Sequence, residues 1–197
     1  MGMLILGLVL FLGVHSVRIF AEDWRTRTRQ RLGENAFKGL YSVLSLAGFM
    51  LIIWGYGEQR LAPMALWGSP TWTRHLAALI MLPAMVLLVA AYVPGNGLKA
   101  RLHHPMVLGV KTWALAHLVA NNTLGDLLLF GGFLAWAALS YRAARQRDRV
   151  SQVVYAPGKL GPTLVTLVVG VVAYLFFVFW AHRAWIGVPP FASVGAG

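Results

Sequence analysis

Two histidines fall where a histidine is costly. His15 lies inside the apolar run Met1–Phe20 and His117 inside Met106–Val119, and an ionisable side chain at bilayer depth is by default a functional candidate. Counting about 1.5 Å per residue from the basic end of each segment, His15 lies roughly 14 Å in and His117 roughly 20 Å in. Both depths fall in the middle third of a hydrocarbon core about 30 Å thick. Two neutral imidazoles with no carboxylate cluster beside them suit haem iron better than zinc, which wants four ligands, or calcium and magnesium, which want oxygens. The chain has no cysteine, which excludes disulfides, thiolate ligands, iron–sulfur clusters and covalent haem attachment. Any metal is therefore held by histidine or carboxylate.

The neighbours of these histidines give each a face. His15, Arg18 and Glu22 recur at i, i+3 and i+7, a polar stripe expected to face the bundle rather than lipid. Arg18 and Glu22 are also spaced to pair at i, i+4. Around His117, the residues Val110, Trp113, Ala114 and Asn121 share one face, combining a flat aromatic ring, a small residue and an amide. Such a face could hold a planar cofactor; equally, Trp113 packs and Asn121 caps the helix end. Lys111, on another face, is expected to snorkel to the headgroups. The other four histidines fall at segment ends: His75 and His182 at one surface, His103 and His104 at the other, where water and headgroups reach an imidazole.

These residues must be positioned by membrane helices. Of the 197 residues, 58% are hydrophobic and only 12% charged, about half the charged share of a soluble domain, and the mean hydropathy is +0.67. Apolar runs lie at about Met1–Phe20, Gly39–Tyr56, His75–Tyr92, Met106–Val119, Gly125–Ser140 and Leu160–Trp185, which predicts an all-α, polytopic bundle of about six transmembrane helices. The formal net charge of +11 could suggest nucleic acid, but its distribution follows topology. Arg18, Arg25, Arg27, Arg29, Arg31 and Lys38 follow the first run, Lys99 and Arg101 the third, and Arg142, Arg145, Arg147, Arg149 and Lys159 the fifth, so 13 of the 17 basic residues fall in alternate loops. By the positive-inside rule those loops are cytoplasmic and both termini are periplasmic.

The first run carries its charges after the apolar residues and ends in no small-residue cleavage site, so it reads as a helix and not as a signal peptide. No polar stretch exceeds Glu22–Lys38 or Tyr141–Lys159, so a single domain over residues 1–197 is expected. Small residues in Gly39–Gly48 suit close packing of the second helix. The expected surroundings are a lipid bilayer, with no nucleic acid.

Longer strings carry a family resemblance. F-L-G-V-H-S-V-R at Phe11–Arg18, G-E-N-A-F-K-G-L-Y-S-V-L-S-L-A-G-F at Gly33–Phe49, H-P-M-V-L-G-V-K-T-W-A-L-A-H-L-V-A-N at His104–Asn121, L-F-G-G-F-L-A-W at Leu129–Trp136 and the closing F-W-A-H-R-A-W-I-G-V-P-P resemble the NnrU family. That resemblance spans nearly the whole chain. It implies a bacterial inner-membrane protein of nitric oxide and nitrite metabolism in denitrification, with a domain shared with plant zeta-carotene isomerase. The plant relative implies a haem b held by two axial histidines, a role that the V-H-S and A-H strings carry onto His15 and His117. Arg18, Trp113 and Asn121 would then support the cofactor. His104 matches the histidine of the plant R-H-P string, although His103 stands where that string has arginine. His75 resembles a further plant histidine, so His75 and His104 are candidates for an alternative ligand or for support.

Four functions compete at this stage. One is a haem protein of nitrogen-oxide respiration, acting as sensor, haem handler or electron-transfer accessory with a redox partner. Another is a haem-dependent isomerase of a lipid-soluble polyene. The H-P-x-x-x-G string at His104–Gly109 also resembles membrane methyltransferases, but Arg145–Pro157 lacks their carboxylate pair and tyrosine spacing. The fourth is a cofactor-free scaffold whose histidines bond across helices, at about 0.6 kcal/mol each.

Overall fold

The computed structural model describes residues 1–191, and among them the regular structure is helical apart from two isolated bridges. The order is α1 (Gly2–Phe20), α2 (Glu22–Leu32), α3 (Glu34–Leu61), α4 (Trp72–Ala90), α5 (Gly97–Leu102), α6 (Pro105–Ala120), α7 (Leu124–Val150) and α8 (Leu160–Phe176), which runs on as a π-helical stretch, Phe177–Ile186. Five of these rods are long and apolar enough to cross a membrane: α1, α3, α4, α7 and α8 with its π-helical end. The sixth, α6, has 16 residues and spans about 24 Å. It is shorter than a hydrocarbon core of about 30 Å.

The interior is built from small residues and the exterior from large ones. Ala77, Ala84, Ala90, Ala114, Ala116, Ala137, Ala144 and Ala181 are buried, while Val9, Val43, Leu46, Leu79, Val168 and Phe179 are exposed. That inversion suits a solvent as apolar as leucine, in which helices associate through close backbone packing and hydrogen bonds. The tightest seam joins α1 to α3. A Cβ on Gly7 would lie 2.6 Å from the Ile52 nitrogen, one on Gly48 2.7 Å from that of Phe11, and one on Gly55 2.2 Å from that of Leu4. Gly39, which also falls in the small-residue stretch of the sequence, has open space and takes no part.

A second group, α4 with α6 and α8, packs beside this pair, and α7 joins the two by contacting α1, α3 and α6. The junction is the core cluster of Leu4, Leu8, Ile52, Ala114, Leu129 and Phe130. The start of α7 is fixed by a capping box. Thr123 Oγ1 accepts from the Asp126 amide, and Asp126 Oδ2 accepts from the Thr123 amide, each at 3.1 Å. The buried Asp126 also takes the Tyr56 hydroxyl at 2.6 Å, tying α3 to α7.

Two stretches differ from expectation. The polar segment after the first run is a helix, α2, because Glu22 and Asp23 sit in its first turn and Arg29 and Arg31 in its last, each complementing the helix dipole. The last apolar run changes winding at Phe177. There the chain opens into wide turns held by the Arg60 guanidinium, which donates to the Ile186 carbonyl at 2.6 Å, and by His182, whose Nδ1 bonds the Val188 carbonyl.

Candidate functional site

At the end of the bundle carrying most of the basic residues, α1, α2, α3, α7 and the start of α6 line a half-open cavity of about 1240 Å³. Its deeper wall is apolar, with Leu6, Val9, Leu10, Leu44 and Leu51, and its mouth carries Arg18, Arg25, Arg29, Lys38 and Arg147 against a single acidic lining residue, Asp148. Four of these five cations have acidic partners. Arg25 pairs with Glu22 at 3.0 Å, and Lys38 and Arg29 share Glu34 at 2.7 and 3.4 Å. The expected Arg18–Glu22 pair is present at 3.7 Å. The mouth still carries a surplus of positive charge over an apolar interior.

His15 stands in the wall of this cavity. Its Nδ1 lies 2.7 Å from the Phe11 carbonyl one turn earlier, and a carbonyl can only accept, so that nitrogen carries the proton. The lone pair is therefore on Nε2, the arrangement by which a backbone carbonyl orients a metal-binding imidazole. Phe11 stacks on the ring at 4.2 Å, while Tyr41 and Trp136 approach edge-on at 5.3 and 6.1 Å. The indole nitrogen of Trp136, another lining residue, is buried and has no hydrogen-bond partner.

His117 occupies a different neighbourhood. Its Nδ1 is held in the same way, by the Trp113 carbonyl at 2.9 Å, and Asn121 caps α6 by donating to the His117 carbonyl at 2.8 Å. Phe130 stacks on its ring at 4.6 Å, and Trp113 lies at 5.1 Å. His117 thus sits level with Phe130 on α7 and His15 level with Trp136, six residues further along and about 9 Å away along the axis. Between them runs a chain of rings: Phe11 to Phe133 at 5.8 Å, Phe133 to Trp113 at 5.5 Å. The structure brings His15 together with Arg18 and His104 at the cavity, and His117 together with Trp113 and Asn121.

The remaining candidates also have definite places. His104 lines the cavity mouth, and its Nε2 bonds Asp148 at 2.8 Å; Asp148 in turn accepts from the Tyr155 hydroxyl at 3.0 Å and faces Arg145 at 3.5 Å. Burial, and then that bond, push the Tyr155 hydroxyl above the usual tyrosine range, so it remains a donor. His103 sets its ring edge-on to Tyr155 at 4.0 Å. Burial and then the Arg145 charge hold His103 below the usual histidine value. His75 stacks on Phe191 at 5.8 Å at the start of α4 and is not among the residues lining the cavity.

Comparison with known proteins adds one decisive match: residues 3–190 fit the family described as NnrU protein. The chain belongs to the NnrU family. No curated protein and no solved structure matches it. Sequence reasoning on this NnrU chain missed Asp148, which reaches His104 from α7, 44 residues further along the chain, and Tyr155 in the loop beyond, which donates to that carboxylate. It also missed His182, whose ring lies 6.5 Å from that of His117. No local spacing signals either approach. The buried Tyr56–Asp126 bond was foreshadowed only by the T-x-x-D string at the start of α7.

Proposed function

We propose that this NnrU protein binds haem b in the cavity beside His15, in the bacterial inner membrane, and serves nitric oxide and nitrite metabolism. The observation that carries the reading is His15 itself: an imidazole with its proton fixed on Nδ1, in the wall of a cavity that is apolar within and cationic at the mouth. The residues present fit the group. The volume of about 1240 Å³ exceeds the roughly 300–1,000 Å³ of ordinary ligand sites, the leucine and valine walls suit a macrocycle, and Arg18 and Arg147 suit its propionates. When bound, haem supplies a one-electron centre and a coordination position for a diatomic ligand. The chain's own part is to hold Nε2 toward the iron, exclude water with Phe11 and Tyr41, and neutralise the carboxylates.

Protein purified in detergent from haem-replete cells is expected to show a Soret band and, when reduced, the sharp visible bands of a b-type haem. His15→Ala abolishes them, and His103→Ala leaves them. A colourless preparation defeats the reading. If His117→Ala abolishes the bands as well, the two-histidine clamp implied by the resemblance holds, and the rings of Phe11, Phe133 and Trp113 must move aside to allow it.

A second reading is favoured by the depth of the apolar wall. A lipid-soluble polyene could enter the same cavity, and the protein would then be a cis-trans isomerase. A host accumulating poly-cis carotenes should form the isomerised product when this protein is expressed, and an unchanged carotene profile excludes that activity.

A further inference from the structure

The half-open cavity has two arms on different faces of α1. His15 and Phe11, one turn apart, meet Trp136 and Phe133 of α7. Leu6, Leu10, Gly13 and Val17 also line the cavity, and their spacing of four, three and four residues puts them together on the face of α1 away from His15. Phe37, Leu40, Leu44 and Leu51 of α3, again at helical spacing, belong to the same lining. The second arm is therefore a groove beside the α1/α3 seam.

The groove has the depth and setting of a lipid chain. From Leu6 to Val17 the helix axis rises about 16 Å, which matches one leaflet of a hydrocarbon core about 30 Å thick. The groove opens sideways, since Leu6, Val9 and Leu40 are 55%, 66% and 52% exposed. Nothing lies within 4 Å of a Cβ built on Gly13, so the backbone of α1 leaves a notch midway.

Cations stand at one end of it. Arg29 and Lys38, both in the lining, share the single carboxylate of Glu34 at 3.4 and 2.7 Å, so two positive charges face one negative. Their side chains are 47% and 69% exposed, within reach of a headgroup. Lys38 lies in the first turns of α3, where the helix dipole also favours an anion. Trp24 is exposed and lines the same mouth, and indoles settle at the level of the headgroups. A water-soluble anion has no use for the apolar slot, and a zwitterionic lipid offsets its phosphate with its own ammonium. We propose that the α1/α3 groove holds one anionic phospholipid, with an acyl chain along Leu6, Leu10, Leu44 and Leu51 and the phosphate between Arg29 and Lys38. The site rests on neither reading above, and it leaves Arg18 and Arg147 to a cofactor beside His15.

The full chain, in detergent micelles carrying phosphatidylglycerol and phosphatidylcholine in equal amounts, would be examined by native mass spectrometry. The expected result is one phosphatidylglycerol per chain, retained at collision energies that strip phosphatidylcholine. Arg29→Gln and Lys38→Gln should each weaken retention about fivefold. Gly13→Leu, which fills the notch and changes no charge, should weaken it as well, and Arg142→Gln, outside the lining, should not. Equal retention of the two lipids by the wild-type chain overturns the proposal, and that measurement needs no variant to fold. Displacement of the lipid by inorganic phosphate would mark a free-anion site and overturn it equally. So would retention unchanged in Gly13→Leu and in both glutamine variants, which would place the lipid elsewhere. A Soret band recorded on the same samples reports haem separately, so the loss of either ligand is read without reference to the other.

Discussion

Asp126 is the residue on which the join between α3 and α7 turns. Its carboxylate is buried and takes the Tyr56 hydroxyl at 2.6 Å, the Thr123 hydroxyl at 2.6 Å and the Thr123 amide at 3.1 Å. Asp126→Ala leaves the Tyr56 hydroxyl without its acceptor and removes half of the capping box, at a cost of roughly 2–3 kcal/mol. Thermal unfolding in detergent should show that loss, and Tyr56→Phe, which removes one donor and leaves the cap, should cost less. His103 gives a pH dependence with a definite sign. Burial and the Arg145 charge depress its value in the folded protein, with the opposing charge of Asp148 and the repulsion of His104 as smaller contributions. As pH falls below the unfolded value of about 6.5, the unfolded chain takes up the proton before the folded one does, so stability declines. The melting temperature should therefore fall on acidification through that window, and His103→Asn should flatten the fall. A slope unchanged in the variant would assign it to other groups.

At the scale of the elements, the α1/α3 seam makes the sharpest demand on side-chain size. Gly55 has the Leu4 backbone 2.2 Å from where its Cβ would be, and backbone cannot yield as a flexible side chain can. Gly55→Ala should therefore destabilise the protein by about 1–3 kcal/mol, the usual cost of overpacking. Gly39→Ala, with nothing within 4 Å, should be neutral or slightly stabilising in detergent melts. Both glycines look alike in the sequence, since each belongs to an apolar run rich in small residues, and only the crossing point of the helices separates them. Much else was legible. The five long apolar rods and the short α6 follow from uninterrupted hydropathy, and the Arg18–Glu22 pair from helical spacing. The placement of His15 beside Arg18 was readable for the same reason, because both lie on one helix one turn apart. The approach of His182 to His117, by contrast, depends on a change of helical winding at Phe177. The hydrophobic pattern continues through that change without a mark. The separation of His15 from His117 depends on which α7 rungs, Trp136 and Phe130, each one meets, and depth counting from each helix's own end does not reveal that.

For the whole molecule, orientation decides which compartment each histidine neighbourhood faces. The cavity mouth with Arg25, Arg29, Lys38 and Arg147 shares its end of the bundle with the basic loops, so the positive-inside rule assigns it to the cytoplasm. His117 lies near the other end, three residues from the close of α6, and would face the periplasmic half. The chain contains no cysteine, so single cysteines can report on this directly. Val154, 91% exposed in the loop after α7, and Gly68, in open space in the loop between α3 and α4, are suited to substitution. With a membrane-impermeant thiol reagent on intact spheroplasts, Gly68→Cys should be labelled and Val154→Cys should not, and inverted vesicles should reverse the pattern. A reporter fused after Gly197, which lies outside the described residues, should likewise read as periplasmic. Labelling of Val154→Cys in intact spheroplasts would invert the molecule, placing the His15 cavity on the periplasmic face and the His117–His182 pair toward the cytoplasm. Haem would then have to reach the cavity from the periplasm.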